Sequence, residues 1–374
     1  MPNPNAIVST VIRVPIPAGR SAAEALRETR DLLVELEGDR RVRLDPGDSR
    51  SIGFSQILDG LSKLKRPVYL EVDPATNAVT KLLIPHVARV VGIHTLEQGV
   101  LGVELDQSHA RHVLLESNPD FPQLEGQLRQ SLRSRAPIIL TENDAHEIIH
   151  IRDYGETAPE EPPVPFPRPG LGPRTPWPWR WFISFWWWCW WPWWWWFRCM
   201  SAAKAQQVFN NMSATSCVPL TVVPPCIPFL YPDDGCWGRA HEMCRLMINM
   251  GLSPSKVWIQ GSLHVGTRNN PNCNVYWGWH VAPTLCVRGP LWFQTQSMVI
   301  DPSLFTTPVS KAGWKGVQGD PNATLTDSAA SIFYLWGNVT DPTYSQTNQV
   351  LATYRLQLQN RAVQHGSPPY ANCP

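Results

Sequence analysis

Three residues that are far apart in the sequence have the side-chain types of a cysteine-dependent catalytic site. The first is Cys236, which precedes apolar residues spaced as in a helix: Trp237, Ala240, Met243, Cys244, Met247 and Ile248. A thiol at the start of this helix of about 14 residues faces unpaired amides and the positive end of the helix dipole. We therefore expect its pKa to be lowered and its sulfur to be a nucleophile near neutral pH.

A nucleophile of this kind needs a base, and a group that orients the base. The stretch "NVYWGWHVAPTLCV" (274–287) has the alternation of a strand, with His280 on its smaller and more polar face. The stretch "SMVIDPSLF" (297–305) predicts a second strand that ends near Asp301. If the two strands are antiparallel neighbours, Asp301 lies beside His280. The pattern therefore predicts Cys236 as nucleophile, His280 as base and Asp301 as orienting group.

Glycine and tryptophan residues near the predicted site are candidates for substrate contacts. Gly235 and Gly238 flank the predicted nucleophile and leave room beside its sulfur. Trp237, Trp277 and Trp279 are candidates for the walls of a slot that holds a side chain. Core packing is an alternative for Trp277 and Trp279, because a period of two places both on the core-facing side of the strand. We predict substrate contacts at Trp237, Gly238 and Trp279.

The same residues also have structural interpretations. Cys236 could be a structural thiol, His280 a hydrogen-bonded core histidine, and Asp301 the terminator of a strand. A zinc site at Cys236, His241 and Cys244 is disfavoured, because the spacing C-x4-H-x2-C matches no common zinc pattern and lacks a fourth ligand. We expect neither a metal nor a cofactor.

Three segments, in this order, resemble the bacterial protein-glutamine glutaminases, which are also called protein deamidases. They are "GCWGRAHEMCRLMINMG", "WGWHVAP" and "VIDPSLFTTPVSKAGW", within about residues 215–340. The resemblance implies a papain/transglutaminase-like α+β domain that hydrolyses protein-bound glutamine to glutamate through a cysteine thioester and releases ammonia. It implies Cys236 as nucleophile, His280 as base and Asp301 as the group that orients the base. The implied partner is a protein or peptide with an accessible glutamine.

Two other hypotheses remain open from the sequence. A transglutaminase or a cysteine peptidase has the same fold and the same nucleophile. A non-enzymatic protein that binds membranes or other surfaces through its tryptophans belongs to a different class, in which the cysteine site has no role.

Composition divides the chain into two unlike parts near residue 176. All 9 Cys and all 19 Trp lie after this point, whereas the first part is rich in charged residues. We predict five segments: a weakly ordered segment (1–50) with a helix at 22–37, a small α+β domain of unknown role (51–153), a Pro-rich linker (154–176), a Trp-rich segment (177–198) and the Cys-His-Asp domain (199–374).

The first part shows no catalytic pattern. Its six histidines after residue 85 match no metal-ligand spacing, and we expect them to be surface residues or hydrogen-bonded residues: His86, His94, His109, His112, His146 and His150. Because the resembled family is known for precursor forms, a pro-domain that covers the cleft remains open.

The stretch 177–198 contains 12 of the tryptophans and 17 consecutive residues without charge, interrupted by Pro192. This composition favours a membrane surface as partner, with packing on the protein as an alternative. The formal net charge of +1 gives no case for nucleic acid. An odd number of cysteines is typical of disulfides plus one functional thiol. The N-terminus lacks a standard signal peptide, yet we expect a secreted or membrane-associated protein.

Overall fold

The computed structural model describes residues 5–17, 19–28, 32–155, 199–289, 291 and 294–374. These residues form a mixed fold of helices and mainly antiparallel strands, in agreement with the expected mixture of α and β structure. The Trp-rich segment (177–198) and nearly all of the Pro-rich linker (154–176) lie outside the described residues. Within the described ranges, no helix has the length and apolar character needed to cross a membrane.

The N-terminal part, up to residue 155, consists of strands and three helices. In chain order they are β1 (Ala6–Arg13), α1 (Ala22–Glu28), β2 (Leu32–Leu36), β3 (Arg40–Leu44), α2 (Ser51–Leu64), β4 (Pro67–Val72), β5 (Val79–Leu83), β6 (His86–Ala88), β7 (Val90–Glu97), β8 (Val100–Leu105), β9 (His112–Leu115), α3 (Phe121–Ser134), β10 (Ile138–Glu142) and β11 (Ile148–Asp153).

Three antiparallel sheets organise this part. Their strand orders are β3-β2-β1-β4-β5, β11-β10-β6 and β7-β8-β9. Helix α2 covers the first sheet with its apolar stripe, which includes the fully buried Phe54, Ile57 and Leu61. Helix α3 packs Leu124 and Leu128 against strands of the other two sheets.

The prediction of a weakly ordered segment at 1–50 is wrong. The predicted helix at 22–37 is also wrong for most of its length. Strands β1, β2 and β3 belong to the first sheet, and α1 ends at Glu28. Leu32, Val34 and Leu36 are buried while Leu33 is exposed, which is the period of two of a strand. Leu32 and Leu36, whose spacing suggested a helix, therefore belong to the buried face of a strand.

The C-terminal part begins at residue 199 and carries the predicted site. Its elements are α4 (Ala202–Ser213), α5 (Cys236–Asn249), β12 (Ser255–Gly266), β13 (Asn274–Arg288), β14 (Thr295–Val299), β15 (Val309–Ser310), α6 (Lys311–Gly316), β16 (Thr324–Ala329), β17 (Ile332–Tyr334), β18 (Val339–Thr340) and α7 (Ser345–His365).

One antiparallel sheet, β15-β14-β13-β12-β16, forms the centre of the C-terminal part. Trp258 and Trp279 pack with α5 on one side, whereas Trp277 packs with Trp314 in a separate buried cluster. The prediction that Trp277 and Trp279 share a face is therefore wrong. The register of β12 against β13 shifts between Gln260 and the partner of Trp277, and such an irregularity breaks strict alternation.

Six of the described cysteines form three disulfides. Cys199 pairs with Cys286, Cys217 with Cys226 and Cys273 with Cys373. Cys236 and Cys244 are free and buried. The expectation of disulfides together with a free thiol agrees with this pattern, and Cys189 lies outside the described residues.

The two parts pack against each other through α2 and the C-terminal helix α7. Gly53 lies so close to Val363 that an added Cβ atom would approach its Cγ2 atom to 2.2 Å. On the same face, Asn360 donates from its side chain to the carbonyl of Leu82 at 3.0 Å. Contact at this helix crossing depends on the absence of a side chain at Gly53.

We expect Gly53→Ala to lower the free energy of unfolding by about 1–3 kcal/mol, because the added methyl group overpacks the helix crossing. Gly126 of α3 is the matched control, since an added Cβ there meets nothing within 4 Å. Gly126→Ala should be neutral or stabilising by up to about 1 kcal/mol through its higher helix propensity. Urea unfolding of both variants measures the difference, and equal effects would contradict the tight crossing.

Candidate active site

Cys236 is the first residue of α5, as predicted from the helical spacing after it. The preceding Gly235 adopts a left-handed conformation with φ of 80°, and its missing Cβ makes room for the ring of Tyr354. The guanidinium of Arg239 donates to the carbonyl of Tyr231 at 2.9 Å and to that of Asp234 at 2.5 Å. These contacts fix the loop that brings the sulfur to the helix start.

His280 and Asp301 come together because β13 and β14 are antiparallel neighbours. The Nε2 atom of His280 lies 2.9 Å from Oδ2 of Asp301. The same oxygen accepts a hydrogen bond from the indole Nε1 of Trp314, also at 2.9 Å. Asp301 therefore fixes the orientation of the His280 ring and leaves its Nδ1 atom without a hydrogen-bond partner.

The cysteine and the histidine are close enough to interact. A ligand atom of Cys236, one of His280 and one of His109 all lie within 4.8 Å of one another. Each of the three residues is almost completely buried. The structure thus brings together all three predicted catalytic residues and adds a histidine from the N-terminal part. Their catalytic roles remain predictions.

The added histidine belongs to a segment that extends the central sheet. His109 accepts a hydrogen bond at its carbonyl from the amide of Gly278 at 3.0 Å, and Arg111 donates from its amide to the carbonyl of Tyr276 at 2.9 Å. Between them, Ala110 forms an antiparallel bridge with Trp277. Strand β14 pairs only with residues 284–288 of β13. Residues 108–111, here called the covering segment, pair with the same strand at residues 276–278.

The side chain of His109 fills the space in front of Cys236. Its ring centroid lies 5.8, 5.5 and 5.2 Å from those of Trp237, Trp277 and Trp279. On the other side, its Nδ1 atom is 2.6 Å from Oδ1 of Asp234. Burial lowers the pKa of His109 to about 4, although the Asp234 carboxylate opposes this shift. The ring is therefore neutral near neutral pH.

The prediction of a lowered pKa for Cys236 is wrong for this covered form. Burial raises its pKa well above the ordinary value, and the carboxylates of Asp234 and Asp301 act in the same direction. Arg239 and a backbone hydrogen bond from Val281 oppose the shift without overcoming it. The covering segment removes water from the sulfur, and this desolvation outweighs the position at a helix start.

Behind the covering segment lies a buried network of histidines and carboxylates. Glu142 accepts from His112 at 2.5 Å and from His146 at 2.8 Å, and the other nitrogen of His112 lies 2.9 Å from Oγ of Ser108. His146 in turn approaches Asp233 at 3.4 Å. His112 and His146 are buried and hydrogen-bonded, which is the second of the two alternatives expected for them.

Of the predicted substrate contacts, Trp237 and Trp279 line the space that His109 fills, whereas Gly238 does not. An added Cβ at Gly238 would come within 2.5 Å of Val350 in α7, so its missing side chain permits helix packing. The missing side chain at Gly235 likewise makes room for the ring of Tyr354. Both glycines therefore have a packing role, and the expectation that they also leave room for a substrate stays a prediction. The roles of the two tryptophans stay predictions.

Three residues of the site escaped the sequence interpretation. His109 carries no motif and reaches the site only through tertiary packing. No sequence pattern assigns a partner to Asp234, yet it contacts His109 and accepts from the amide of Gly235 at 2.9 Å and the hydroxyl of Tyr354 at 2.5 Å. Trp314 lies in a quoted segment, but nothing in its spacing indicated the hydrogen bond to Asp301.

The three predicted catalytic residues lie within a segment of the chain that matches a known protein family. Residues 205–318, which include the cysteine, the histidine and the aspartate, match the family model described as "Glutaminase". The match confirms the resemblance to the protein-glutaminase family. It covers about a third of the chain, and no curated protein matches.

Several solved structures of this family are similar to the chain. A crystal structure of pro-protein-glutaminase has 24% sequence identity and a TM-score of 0.49, over 78% of this chain and 99% of that one. A crystal structure of protein-glutaminase has 26% identity and a TM-score of 0.36, over 47% and 98%. The NMR structure of protein-glutaminase from Chryseobacterium proteolyticum has 26% identity and a TM-score of 0.35, over 47% and 94%.

We expect Arg111→Pro to loosen the covering segment, because proline cannot donate the hydrogen bond to Tyr276. A loss of about 1 kcal/mol should raise the rate of Cys236 alkylation by iodoacetamide about fivefold. Arg111→Ala is the matched control, since it keeps the amide and removes the side-chain bond to Ser262 and the attraction to Glu104.

Peptide mass spectrometry measures the alkylation of each cysteine, with the buried Cys244 as internal reference. If Arg111→Pro and Arg111→Ala expose Cys236 to the same degree, the backbone pairing does not hold the cover in place.

Proposed function

We propose that this protein hydrolyses the side-chain amide of protein-bound glutamine to glutamate and ammonia, with Cys236 as nucleophile. The observation that carries the proposal is the buried grouping of Cys236, His280 and Asp301 inside the segment that matches the glutaminase family. A helix-borne cysteine facing a histidine on a neighbouring strand is also what a papain/transglutaminase-like domain requires.

The reaction begins when the thiol proton of Cys236 passes to Nδ1 of His280, the ring nitrogen without another partner. The thiolate attacks the amide carbonyl carbon of the glutamine side chain and forms a tetrahedral adduct. The imidazolium then donates its proton to the departing nitrogen, and ammonia leaves a thioester on Cys236. His280 next takes a proton from water, and the resulting attack on the thioester yields glutamate and the free thiol.

Asp301 acts throughout by holding His280 in one tautomer. Its carboxylate accepts the Nε2 proton, which leaves the Nδ1 lone pair available to the thiol. Burial raises the pKa of Asp301, but attraction to His280 and hydrogen bonds from His280 and Trp314 leave it below the ordinary value. Asp301 thus stays ionised and stabilises the imidazolium. Amides at the start of α5, including that of Cys236, are placed to stabilise the oxyanion.

Substrate can reach the sulfur only after the covering segment leaves the cleft. His109 occupies the position in front of Cys236 that the glutamine side chain needs, between Trp237 and Trp279. Once the edge of β13 is free, the amide of Gly278 and the carbonyl of Tyr276 can pair with an extended substrate backbone. Departure also returns water to the sulfur and removes the burial that raises its pKa.

We expect Cys236→Ser to abolish ammonia release from an unfolded, glutamine-rich protein, since a hydroxyl does not replace the thiolate. The matched control is Cys244→Ser, which changes the other buried free thiol and should keep the wild-type rate. The assay uses the Arg111→Pro background, in which the cleft opens more readily, and follows ammonia together with incorporation of 18O from water.

Hydrolysis places 18O in the new carboxylate, whereas a transglutaminase reaction in the presence of a primary amine gives crosslinks instead, and a peptidase shortens the chain. Ammonia release by the Cys236→Ser variant at the wild-type rate would refute the proposal.

We expect Asp301→Asn to reduce kcat/KM by about 10²–10⁴-fold, because the amide no longer stabilises the correct tautomer and the imidazolium. Asp341→Asn is the control: this carboxylate is also buried, but it accepts from the amide and the hydroxyl of Thr347, and an amide oxygen can replace it there. Circular dichroism establishes that both variants are folded. A loss of equal size in both variants would contradict a specific role of Asp301.

A further inference from the structure

The covered cleft has a second feature that the proposed hydrolysis does not use. His109, Cys236 and His280 converge within 4.8 Å, and they come from two separate parts of the chain. Nδ1 of His280 and both ring nitrogens of His109 are buried, and none of the three has a partner of hydrogen-bond geometry, although Nδ1 of His109 lies close to Asp234. Unpaired polar atoms are costly in a protein interior, so two that share one small volume indicate a missing ligand.

Both histidines are held from behind by a carboxylate. Nδ1 of His109 lies 2.6 Å from Asp234, and Nε2 of His280 lies 2.9 Å from Asp301. Metal-ligating histidines in proteins characteristically donate their second nitrogen to such a carboxylate, which fixes the tautomer and directs the free lone pair at the metal. Two histidine rings, each beside a carboxylate, therefore flank the thiol in the arrangement of a metal site.

We propose that a zinc ion binds between His109, Cys236 and His280 and clamps the covering segment over the nucleophile. The sulfur and the two ring nitrogens each donate one electron pair to the metal. The thiol proton of Cys236 goes to solvent, and no atom is oxidised or reduced. The fourth position of a tetrahedral site is taken by water or a small anion.

The donor set selects this class of metal. One thiolate and two imidazoles suit zinc and similar soft or borderline ions, whereas calcium and magnesium require oxygen ligands. Bonds of about 2.3 Å to sulfur and 2.0–2.1 Å to nitrogen place the ligand atoms about 3.4–3.6 Å apart. Metal binding therefore requires the ligand atoms, which now lie within 4.8 Å of one another, to move closer together.

A metal held in this way couples the two parts of the protein. It uses one ligand from the covering segment and two from the cleft, so it binds the covered form and stabilises that form by mass action. By linkage, opening of the cover must release the metal or weaken its binding. Zinc thereby keeps the nucleophile blocked, which goes beyond the proposed hydrolysis and is tested without any measurement of ammonia.

A second group of possible ligands, His86, His112 and Glu142, does not have these properties. Both nitrogens of His112 already have partners, at Glu142 and at Ser108. Both oxygens of Glu142 accept from histidines. A metal bound there would have to replace existing hydrogen bonds between these side chains. This group is therefore the comparison site for the metal-binding experiment.

The experiment measures metal binding to the full chain after removal of metals with a chelator. Cobalt(II) is added as a spectroscopic probe, and zinc affinity is measured by competition with a chromophoric chelator. Wild type should bind one ion with the thiolate-to-cobalt absorption of a tetrahedral site. Cys236→Ser should lose this absorption and bind zinc at least about 100-fold more weakly, and His109→Gln at least about 10-fold more weakly.

His150→Gln and Cys244→Ser are the matched controls, because both residues lie outside the group, and both should bind as wild type does. In wild type, one equivalent of zinc should also protect Cys236 from iodoacetamide, and chelator should restore its alkylation. Protection of Cys236 by zinc tests the proposal in the wild-type protein even if His109→Gln is poorly folded.

Zinc binding that survives Cys236→Ser but is lost in His112→Gln would move the site to the other group and overturn the proposal. Equal affinity in wild type and in folded His109→Gln would overturn the clamp, because the covering segment would then contribute no ligand.

Discussion

Strand β13 is the element on which the site depends, because hydrogen bonds on its edges bring every other part to the sulfur. Its pairing with β14 delivers Asp301 to His280. The stretch of edge that β14 leaves free receives the covering segment, which delivers His109. Helix α5 packs against the same strand and positions Cys236. A single backbone therefore aligns Cys236, His280, Asp301 and the covering segment.

Buried charge determines how the cover is held. Asp233 pairs with Arg361 and with His146, and the neighbouring Asp234 pairs with His109 and Tyr354. Attraction to its basic neighbours keeps the pKa of Asp233 below its usual value although burial acts to raise it. Charges of this kind are costly in isolation and stable only when paired. The two aspartates before the nucleophile thus join the N-terminal part to the cleft, in addition to shaping the loop.

The covered and open forms place opposite demands on one sulfur. Under the cover, Cys236 is dry, and burial favours the neutral thiol. In the open form, the helix start and Arg239 favour the thiolate over the thiol. The proposed reaction uses the imidazole of His280 in the open form, and the proposed zinc site uses it in the covered form.

The sequence by itself predicted that Cys236, His280 and Asp301 would come together, and the structure places them together. Helical spacing placed Cys236 at a helix start, and strand alternation placed His280 and Asp301 on neighbouring strands, because these periodicities are local properties of the backbone. It did not determine the strands among residues 6–44, the face of Trp277, the packing of Gly238 or the pKa of Cys236. Those features depend on register, helix crossings and burial. Only the tertiary structure decided that His109, 127 residues before Cys236 in the chain, enters the site, because contacts between distant segments leave no periodic signal in either one.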